Sequence, residues 1–351
     1  MQTRNIMRRA LLVLLVAIGL VIAVLVIVLG IALEDPAYED LEIETISGER
    51  ISSENQRSWW NPETLLDLAV FKIGNALYPD QAYFRDGVES VDFRTHVAAV
   101  RLSPVAWNEE GLYEVEAQTL EGPMDPAFRV YSWHSNTAPT LIFHHGASEV
   151  PFDGIFEAIF ERDSRGQLPS VNLIIVRTPY HQTGRLELLE GAATMSRFLA
   201  LMAVCVRLDQ ELIGVLRARG VESIGVAGIS LGGFITNRHH LVFNSADFYV
   251  PIVAGTDHAA VLTNAYPAAP DALLQSETLR KHLDLSGQWA RSAHANVFPI
   301  LGRYDGVCRL EEQGPSYGEM PVKIWNRGHI SAALSFRALR HVLLRRLAEN
   351  P

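Results

Sequence analysis

A serine in a glycine-flanked turn is the residue whose surroundings most favour chemistry. The apolar run Ser223–Ala227 leads directly into the hexapeptide GISLGG at positions 228–233, and a stretch that fits a helix follows from Phe234 to Val242. The order strand, G-x-S-x-G, helix presents a serine hydroxyl on a strained turn at the carboxyl edge of a sheet, with a helix N-terminus behind it. We therefore predict that Ser230 is a nucleophile; the alternative is a glycine-rich turn in an ordinary α/β fold.

A serine nucleophile needs a base, and the base needs an acid that orients it. The apolar run Val297–Leu301 ends in a turn that carries Asp305, and the run Val322–Trp325 ends in a loop that carries His329. Taken alone, Asp305 is more often a turn residue and His329 more often a polar residue at a helix N-terminus, but their order after the serine is that of a Ser-Asp-His triad. Asp257 is a competing acid whose simpler role is a helix cap. We predict Asp305, since its loop directly precedes the strand of the histidine.

Two backbone donors must converge where a tetrahedral oxyanion would form. One is the amide of Leu231, directly after the serine. The other is expected in the loop that follows the apolar run Thr140–Phe143, where Gly146 permits a close approach and Ala147 supplies the donor. The two histidines before Gly146 are expected to be buried and to hold the loop by hydrogen bonds rather than to transfer protons.

Other polar residues near these loops are weaker candidates. His145, Arg177 and Tyr180 are candidates for the lining of a substrate pocket, although a plain turn with a surface arginine is an equal alternative at 177–181. The remaining histidines lack zinc-ligand spacing and a companion carboxylate motif, so no metal is predicted. No cofactor is predicted either, because serine-based acyl transfer needs neither metal nor nucleotide.

Composition narrows the classes of partner. The chain has 351 residues, is 48% hydrophobic and 20% charged, and carries a formal net charge of −10. This composition is typical of a globular protein, and the acidic balance makes nucleic acid an unexpected partner. Two cysteines exclude a disulfide framework and a four-cysteine zinc site, leaving one optional bridge.

The N-terminal region contains a predicted membrane span. Residues 10–33 form a run of 24 residues without a charge, long enough to cross a bilayer as a helix. Arginines precede this run and acidic residues follow it, which places residues 1–9 in the cytoplasm and the rest outside. An uncleaved single-pass anchor is therefore predicted. A cleaved long signal sequence and a buried core helix are the alternatives.

A tether is predicted between this span and the main domain. Residues 34–61 contain eight acidic and two basic residues without an apolar period, as expected of a solvated stalk. The stretch Pro62–Leu77 fits an amphipathic helix that packs on the catalytic domain or lies on the membrane surface. We expect this helix to pack on the catalytic domain. Residues 34–92 are therefore predicted to form an acidic stalk followed by an amphipathic helix.

From about residue 93 to residue 351, short apolar runs alternate with helical patterns, as in an α/β domain with a mostly parallel sheet. The first predicted strand is Val97–Leu102. The strongest helix signal is Glu187–Arg219, with a division possible at Gly191. Residues 257–295 lie between two predicted core strands and are expected to form a small helical cap over the site.

Together these residues resemble the α/β-hydrolase superfamily. The resemblance covers residues 93–351 and depends on the elbow at 228–233, the HHGA loop at 144–147, and the loops of Asp305 and His329. It implies a parallel sheet flanked by helices and an acyl-enzyme mechanism. In that mechanism Ser230 attacks, His329 moves the proton, Asp305 orients the histidine, and Leu231 and Ala147 hold the oxyanion.

Three functions remain open from the sequence. The leading hypothesis is a membrane-anchored serine hydrolase that cleaves a carboxylic ester or thioester of a small or lipid-like acyl substrate. The second keeps the triad in an acyltransferase or a peptidase. The third is a catalytically inactive binding or scaffold protein with the same fold.

Overall fold

The computed structural model describes residues 30, 33–52, 61–77, 82–147, 149–152, 154–160, 169–265 and 275–349. The predicted cytoplasmic segment 1–9 and the predicted span 10–33, apart from Gly30 and Leu33, lie outside the described residues. Within the described ranges, no helix combines the length and the apolar character needed to cross a bilayer.

A nine-stranded, mostly parallel sheet forms the centre of the fold. Its strand order is β1-β12-β11-β10-β9-β7-β8-β6-β3. The strands from β12 to β8 are parallel, whereas β1, β6 and β3 join by antiparallel pairing. The strands are β1 (Ile43–Ser47), β3 (Gly111–Glu114), β6 (Ala127–Ser132), β7 (Thr140–His144), β8 (Asn172–Arg177), β9 (Ile224–Ile229), β10 (Phe248–Ile252), β11 (Ile300–Gly302) and β12 (Pro321–Trp325). This confirms the predicted α/β class with a mostly parallel sheet.

A second, antiparallel sheet of three short strands comprises β2 (Arg101–Leu102), β4 (Ala117–Thr119) and β5 (Gly122–Met124). The helices are α1 (Pro62–Leu77), α2 (Phe93–Ala99), α3 (Ile155–Ile159), α4 (Arg185–Gly191), α5 (Met195–Ala218), α6 (Leu231–Val242), α7 (His258–Ala265), α8 (Glu277–Leu283), α9 (Ser286–Trp289), α10 (Leu310–Ser316), α11 (His329–Ala333) and α12 (Phe336–Glu349). Single 3-10 turns lie at Tyr38–Asp40 and Gly48–Arg50.

The core lies on both faces of the large sheet because successive side chains of a strand point to opposite faces. In β9, Val226 joins a buried cluster with Leu212 of α5. Its neighbour Ala227 joins another cluster with Leu343 of α12. Strands β7 to β10 are buried along their whole length, as expected of parallel strands covered by helices on both sides.

The structure differs from the prediction at the first expected strand. Residues 93–99 are helical, and the strand is reduced to Arg101–Leu102. The carboxylate of Asp92 accepts a hydrogen bond from the backbone N–H of Thr95 and so caps the helix. The local cap therefore outweighs the apolar run that predicts a strand. The predicted division of the long helix at Gly191 is confirmed, since α4 ends there and α5 begins at Met195.

The predicted solvated stalk also needs correction. Residues 43–47 form the edge strand β1, which pairs antiparallel with β12 from Ile43 opposite Trp325 to Ser47 opposite Pro321. Ile46 packs against a buried cluster of the main domain. The acidic segment is thus in part a component of the sheet, and the domain begins well before residue 93.

Candidate active site

The serine lies in a tight turn between β9 and α6. Ser230 has a φ of 54°, and its backbone N–H donates to the carbonyl of Ile252 on β10 at 2.9 Å. A Cβ on Gly232 would lie 2.4 Å from the carbonyl oxygen of His144, and one on Gly228 would lie 2.4 Å from the backbone of Gly232. The two glycines are therefore required for the close packing of the turn against β7 and α6.

The three residues predicted as a triad are brought together. The distance from His329 Nε2 to Ser230 Oγ is 3.0 Å, and that from His329 Nδ1 to Asp305 Oδ2 is 2.8 Å. The second carboxylate oxygen, Oδ1, accepts from the backbone N–H groups of Val307 and Cys308, each at 2.7 Å. Because these bonds fix the carboxylate, Asp305 can hold the imidazole with Nδ1 protonated and Nε2 free to accept the serine proton.

The charge balance favours protonation of this histidine. Burial alone would lower the pKa of His329, but the negative charge of Asp305, their hydrogen bond and the charge of Asp67 outweigh burial and raise that pKa. A raised pKa makes the imidazole a stronger proton acceptor, as a general base requires.

The predicted oxyanion donors border the same space. Leu231 is the first residue of α6, so its N–H has no acceptor within the helix. Leu231, Gly146 and Ala147 line the cavity that contains Ser230. The N–H of Gly146 donates to Glu149 Oε2 at 3.1 Å, and Ile155 N–H donates to Oε1 at 3.2 Å. Glu149 therefore holds the loop, and burial raises the pKa of its carboxyl to about 7.

The cavity beside Ser230 has a volume of about 340 Å³ and mostly apolar walls. Its apolar lining includes Val70, Phe71, Tyr83, Phe198, Phe234, Val261, Leu262 and Val307. Two of the residues belong to α1 and others to α7, the first helix of the predicted cap. Such a space fits the acyl or alcohol part of an apolar ester better than a charged group.

Asp67 on α1 is a site residue that the sequence analysis missed. It is 1% exposed, and its carboxylate accepts from the N–H groups of Gly306, His329 and Ile330 at 2.8, 2.7 and 2.9 Å. One side chain thus joins the loop of the acid to the loop of the base. Burial and the adjacent charge of Asp305 raise the pKa of Asp67 to about 7. The available signal was an aspartate on the polar side of a predicted amphipathic helix.

A buried ion pair lies one turn earlier on the same helix. Arg327 Nη1 donates to Glu63 Oε1 at 2.9 Å, and both side chains are 7% exposed. The N–H of Gly328 also points to Glu63 Oε2 at 3.4 Å. Glu63 and Asp67 therefore fix the segment that leads into His329. This confirms packing of α1 on the catalytic domain.

The predicted pocket residues lie elsewhere. Arg177 Nη2 pairs with Glu114 Oε2 at 2.6 Å, and His145 accepts from the Thr178 N–H at 3.1 Å through Nε2. Tyr180 packs beside a buried cluster that includes helix α5. These three residues lie outside the described lining of the cavity at Ser230. Arg177 pairs with β3, and His145 joins the loop after β7 to the loop after β8, so these side chains make structural contacts instead of lining the cavity at Ser230.

The two remaining sequence candidates have structural roles. His144 Nε2 lies 2.8 Å from Asp209 Oδ2, with both side chains fully buried. The competing acid Asp257 accepts from the Ala260 N–H at 3.0 Å and caps helix α7. The histidine at 329 is bonded to Asp305, so the geometry favours the predicted acid.

One cluster of possible metal ligands coincides with the triad. Ligand atoms of Asp305, Cys308 and His329 lie within 4.8 Å of one another. Both carboxylate oxygens already accept hydrogen bonds, and burial raises the pKa of the Cys308 thiol well above its ordinary value. A neutral thiol is a poor ligand, so these residues fit a triad better than a metal site. Cys205 and Cys308 are both buried and form no disulfide bond with each other.

Comparisons with known proteins give likeness of shape alone. No family model matches the chain, and no curated protein matches it. The acetyl xylan esterase from Paenibacillus sp. R4 aligns with a TM-score of 0.48 and 14% identity over 85% of this chain and 98% of that one. The acylaminoacyl peptidase of Pyrococcus horikoshii gives 0.47 and 15% over 69% of this chain and 42% of that one. Brefeldin A esterase, a bacterial homologue of human hormone sensitive lipase, gives 0.44 and 10% over 93% and 90%. Likeness at this level identifies no substrate, so the function is inferred from the side chains.

Proposed function

We propose that the protein is a serine hydrolase that cleaves a carboxylic ester or thioester with an apolar acyl or alcohol part. The observation that carries the proposal is the chain of contacts from Ser230 Oγ through His329 to Asp305, at 3.0 and 2.8 Å, beside an apolar cavity. The resemblance of the elbow at 228–233 and of the loops of Asp305 and His329 to those of the α/β-hydrolase superfamily supports the same chemistry.

The proposed reaction has two halves. Ser230 Oγ attacks the acyl carbonyl while His329 Nε2 takes the hydroxyl proton, and the N–H groups of Leu231 and Ala147 bind the tetrahedral oxyanion. Collapse breaks the acyl–oxygen or acyl–sulfur bond, and the imidazolium protonates the leaving group. Water then attacks the acyl-enzyme with His329 as base, and the acid is released with the serine hydroxyl restored.

We further propose that residues 10–33 anchor this enzyme in a membrane with residues 1–9 in the cytoplasm and the catalytic domain on the other side. The support is the uncharged 24-residue run with arginines before it and acidic residues after it.

A fluorophosphonate probe tests the catalytic proposal without a known substrate. In detergent-solubilised full-length protein, the probe should label the wild type, and Ser230→Ala and His329→Ala should each abolish labelling because nucleophile and base act as a unit. His134→Ala, at an exposed histidine, is the matched control and should label normally. Labelling that persists in Ser230→Ala would show that another residue reacts.

A further inference from the structure

Helix α1 has its acidic side chains inside and apolar side chains outside. Glu63 and Asp67 are 6% and 1% exposed, whereas Leu68 and Ile73 are 48% and 60% exposed. A helix on the surface of a water-soluble domain normally has the opposite arrangement. The burial of Glu63 and Asp67 is explained by their bonds to the segments around Asp305 and His329. The exposed apolar side chains make no such bonds.

Leu68, Lys72 and Ile73 of α1 are exposed, and they share one face of the helix with the half-buried Leu65 and Ala69. Helical periodicity places Leu65, Leu68, Ala69, Lys72 and Ile73 together, away from the inner face that carries Glu63 and Asp67. We refer to these five residues as the outer face of α1. Apolar side chains accompanied by a lysine, whose stem lies along apolar surface while its ammonium reaches polar groups, suit the interface of a bilayer.

An exposed neighbour of the outer face lines the catalytic cavity. Val70 is 41% exposed and also lines the cavity that contains Ser230. Phe71, the next residue, lines the same cavity and packs edge-on against His329 with ring centroids 6.0 Å apart. Because Val70 is both exposed and part of the lining, we infer that the cavity opens at Val70, one turn of helix from Ile73 of the outer face.

The chain just after the predicted membrane span is held at the start of α1. Arg327 Nη2 donates to the carbonyl oxygen of Glu34 at 2.7 Å, and Nη1 of the same side chain donates to Glu63 in the first turn of α1 at 2.9 Å. Leu33, at the end of the span, is 47% exposed. One arginine thus connects the point where the chain leaves the predicted span to the start of α1.

We propose that the outer face of α1 lies in the interfacial layer of the bilayer that holds the predicted anchor, so that the catalytic cavity opens toward lipid. The substrate is then an ester of an amphiphile dissolved in that bilayer, with its apolar chain in the cavity. The substrate assignment rests on the proposed serine hydrolase function, whereas the placement of α1 does not.

A fluorescent label tests the placement independently of activity. Cys205 and Cys308 are buried, so a thiol added by Ile73→Cys can be labelled selectively with nitrobenzoxadiazole in the full-length protein. The protein is reconstituted in phosphatidylcholine vesicles with and without doxyl-labelled phosphatidylcholine. The matched control is Leu112→Cys, which is 50% exposed on β3 at the sheet edge opposite β1.

We expect blue-shifted emission and quenching by the doxyl lipid at position 73 and water-like, unquenched emission at position 112. Water-like emission at position 73 would overturn the proposal. A blue shift that the doxyl lipid does not quench, and that disappears on tenfold dilution of protein into lipid, would also overturn it by showing that a second copy of the chain covers the face.

Kinetics test the substrate class. The double variant Leu68→Ser/Ile73→Ser should hydrolyse a water-soluble short-chain nitrophenyl ester at the wild-type rate but lose about tenfold in kcat/KM for a diacylglycerol ester embedded in the vesicles, since two apolar contacts with lipid are removed. Leu112→Ser should change neither rate. Equal loss on both esters would contradict delivery from the bilayer. Hydrolysis of neither ester by the wild type would instead contradict the serine hydrolase function, while the fluorescence result would still decide the position of α1.

Discussion

At the scale of single residues, two acids contact His329 in different ways. Asp305 contacts the imidazole directly. Asp67 instead accepts a hydrogen bond from the backbone N–H of His329 and acts on the imidazole through its charge. We regard Asp67 as a positioning residue, because it touches the loops that carry the reacting groups rather than the reacting atoms. Its charge also helps to raise the pKa of His329.

The pH dependence of catalysis should report both the charge of Asp67 and its positioning of the catalytic loops. His329 must be neutral to act as a base, so kcat/KM should fall as the pH drops through a pKa above the ordinary value of 6.5. Asp67→Asn removes the negative charge that Asp67 carries above its pKa of about 7, and the acid limb of the variant should therefore move to lower pH. The lower kcat expected at the plateau follows from the loss of hydrogen bonds to the Gly306, His329 and Ile330 amides. Circular dichroism checks that the variant is folded.

Asp257→Asn provides the matched control, because this half-buried acid caps α7 and bonds neither catalytic loop. Its acid limb should coincide with that of the wild type. An unmoved limb in Asp67→Asn, or a moved limb in Asp257→Asn, would argue against the role assigned to Asp67.

At the scale of elements, the turn between β9 and α6 tolerates no side chain at its second glycine. A Cβ at position 232 would lie 2.4 Å from the carbonyl oxygen of His144, which is backbone and cannot rotate away. Gly232→Ala should therefore destabilise the protein by roughly 1–3 kcal/mol and reduce probe labelling. Chemical denaturation measures the first effect and fluorophosphonate labelling the second.

Gly214 on α5 is the control for this substitution. It is an exposed helical glycine with open space around its Cβ position, so Gly214→Ala should stabilise the protein by about 0.5–1 kcal/mol. Equal effects of the two alanines would show that the packing of the turn is not the constraint.

The elements also explain which features were predictable. Ser230, Asp305 and His329 were found because each follows an apolar strand within a few residues, so that the signal is local. Asp67 and Glu63 were missed because their partners lie more than 230 residues away along the chain. The false strand at 97–102 has a local cause, since the cap at Asp92 starts a helix within an apolar run that by its pattern alone predicts a strand.

At the scale of the whole molecule, the acidic N-terminal segment is part of the domain. Strand β1 covers the edge of β12, which would otherwise present unpaired backbone groups. A protein that begins at residue 34 should therefore have a higher thermal unfolding temperature than one that begins at residue 61, by several degrees. Calorimetry of both forms measures this difference, and equal temperatures would show that β1 adds nothing to stability.

The pairing of β1 with β12 also has a consequence for synthesis on the ribosome. Ile43 lies opposite Trp325, so β1 must wait until β12 has been synthesised before this sheet edge can form. Because β12 also leads into the loop of His329, the closed edge and the complete triad arise together. A nascent chain released before this point carries an exposed sheet edge and lacks the base proposed for its serine, so the proposed catalysis requires translation beyond residue 329.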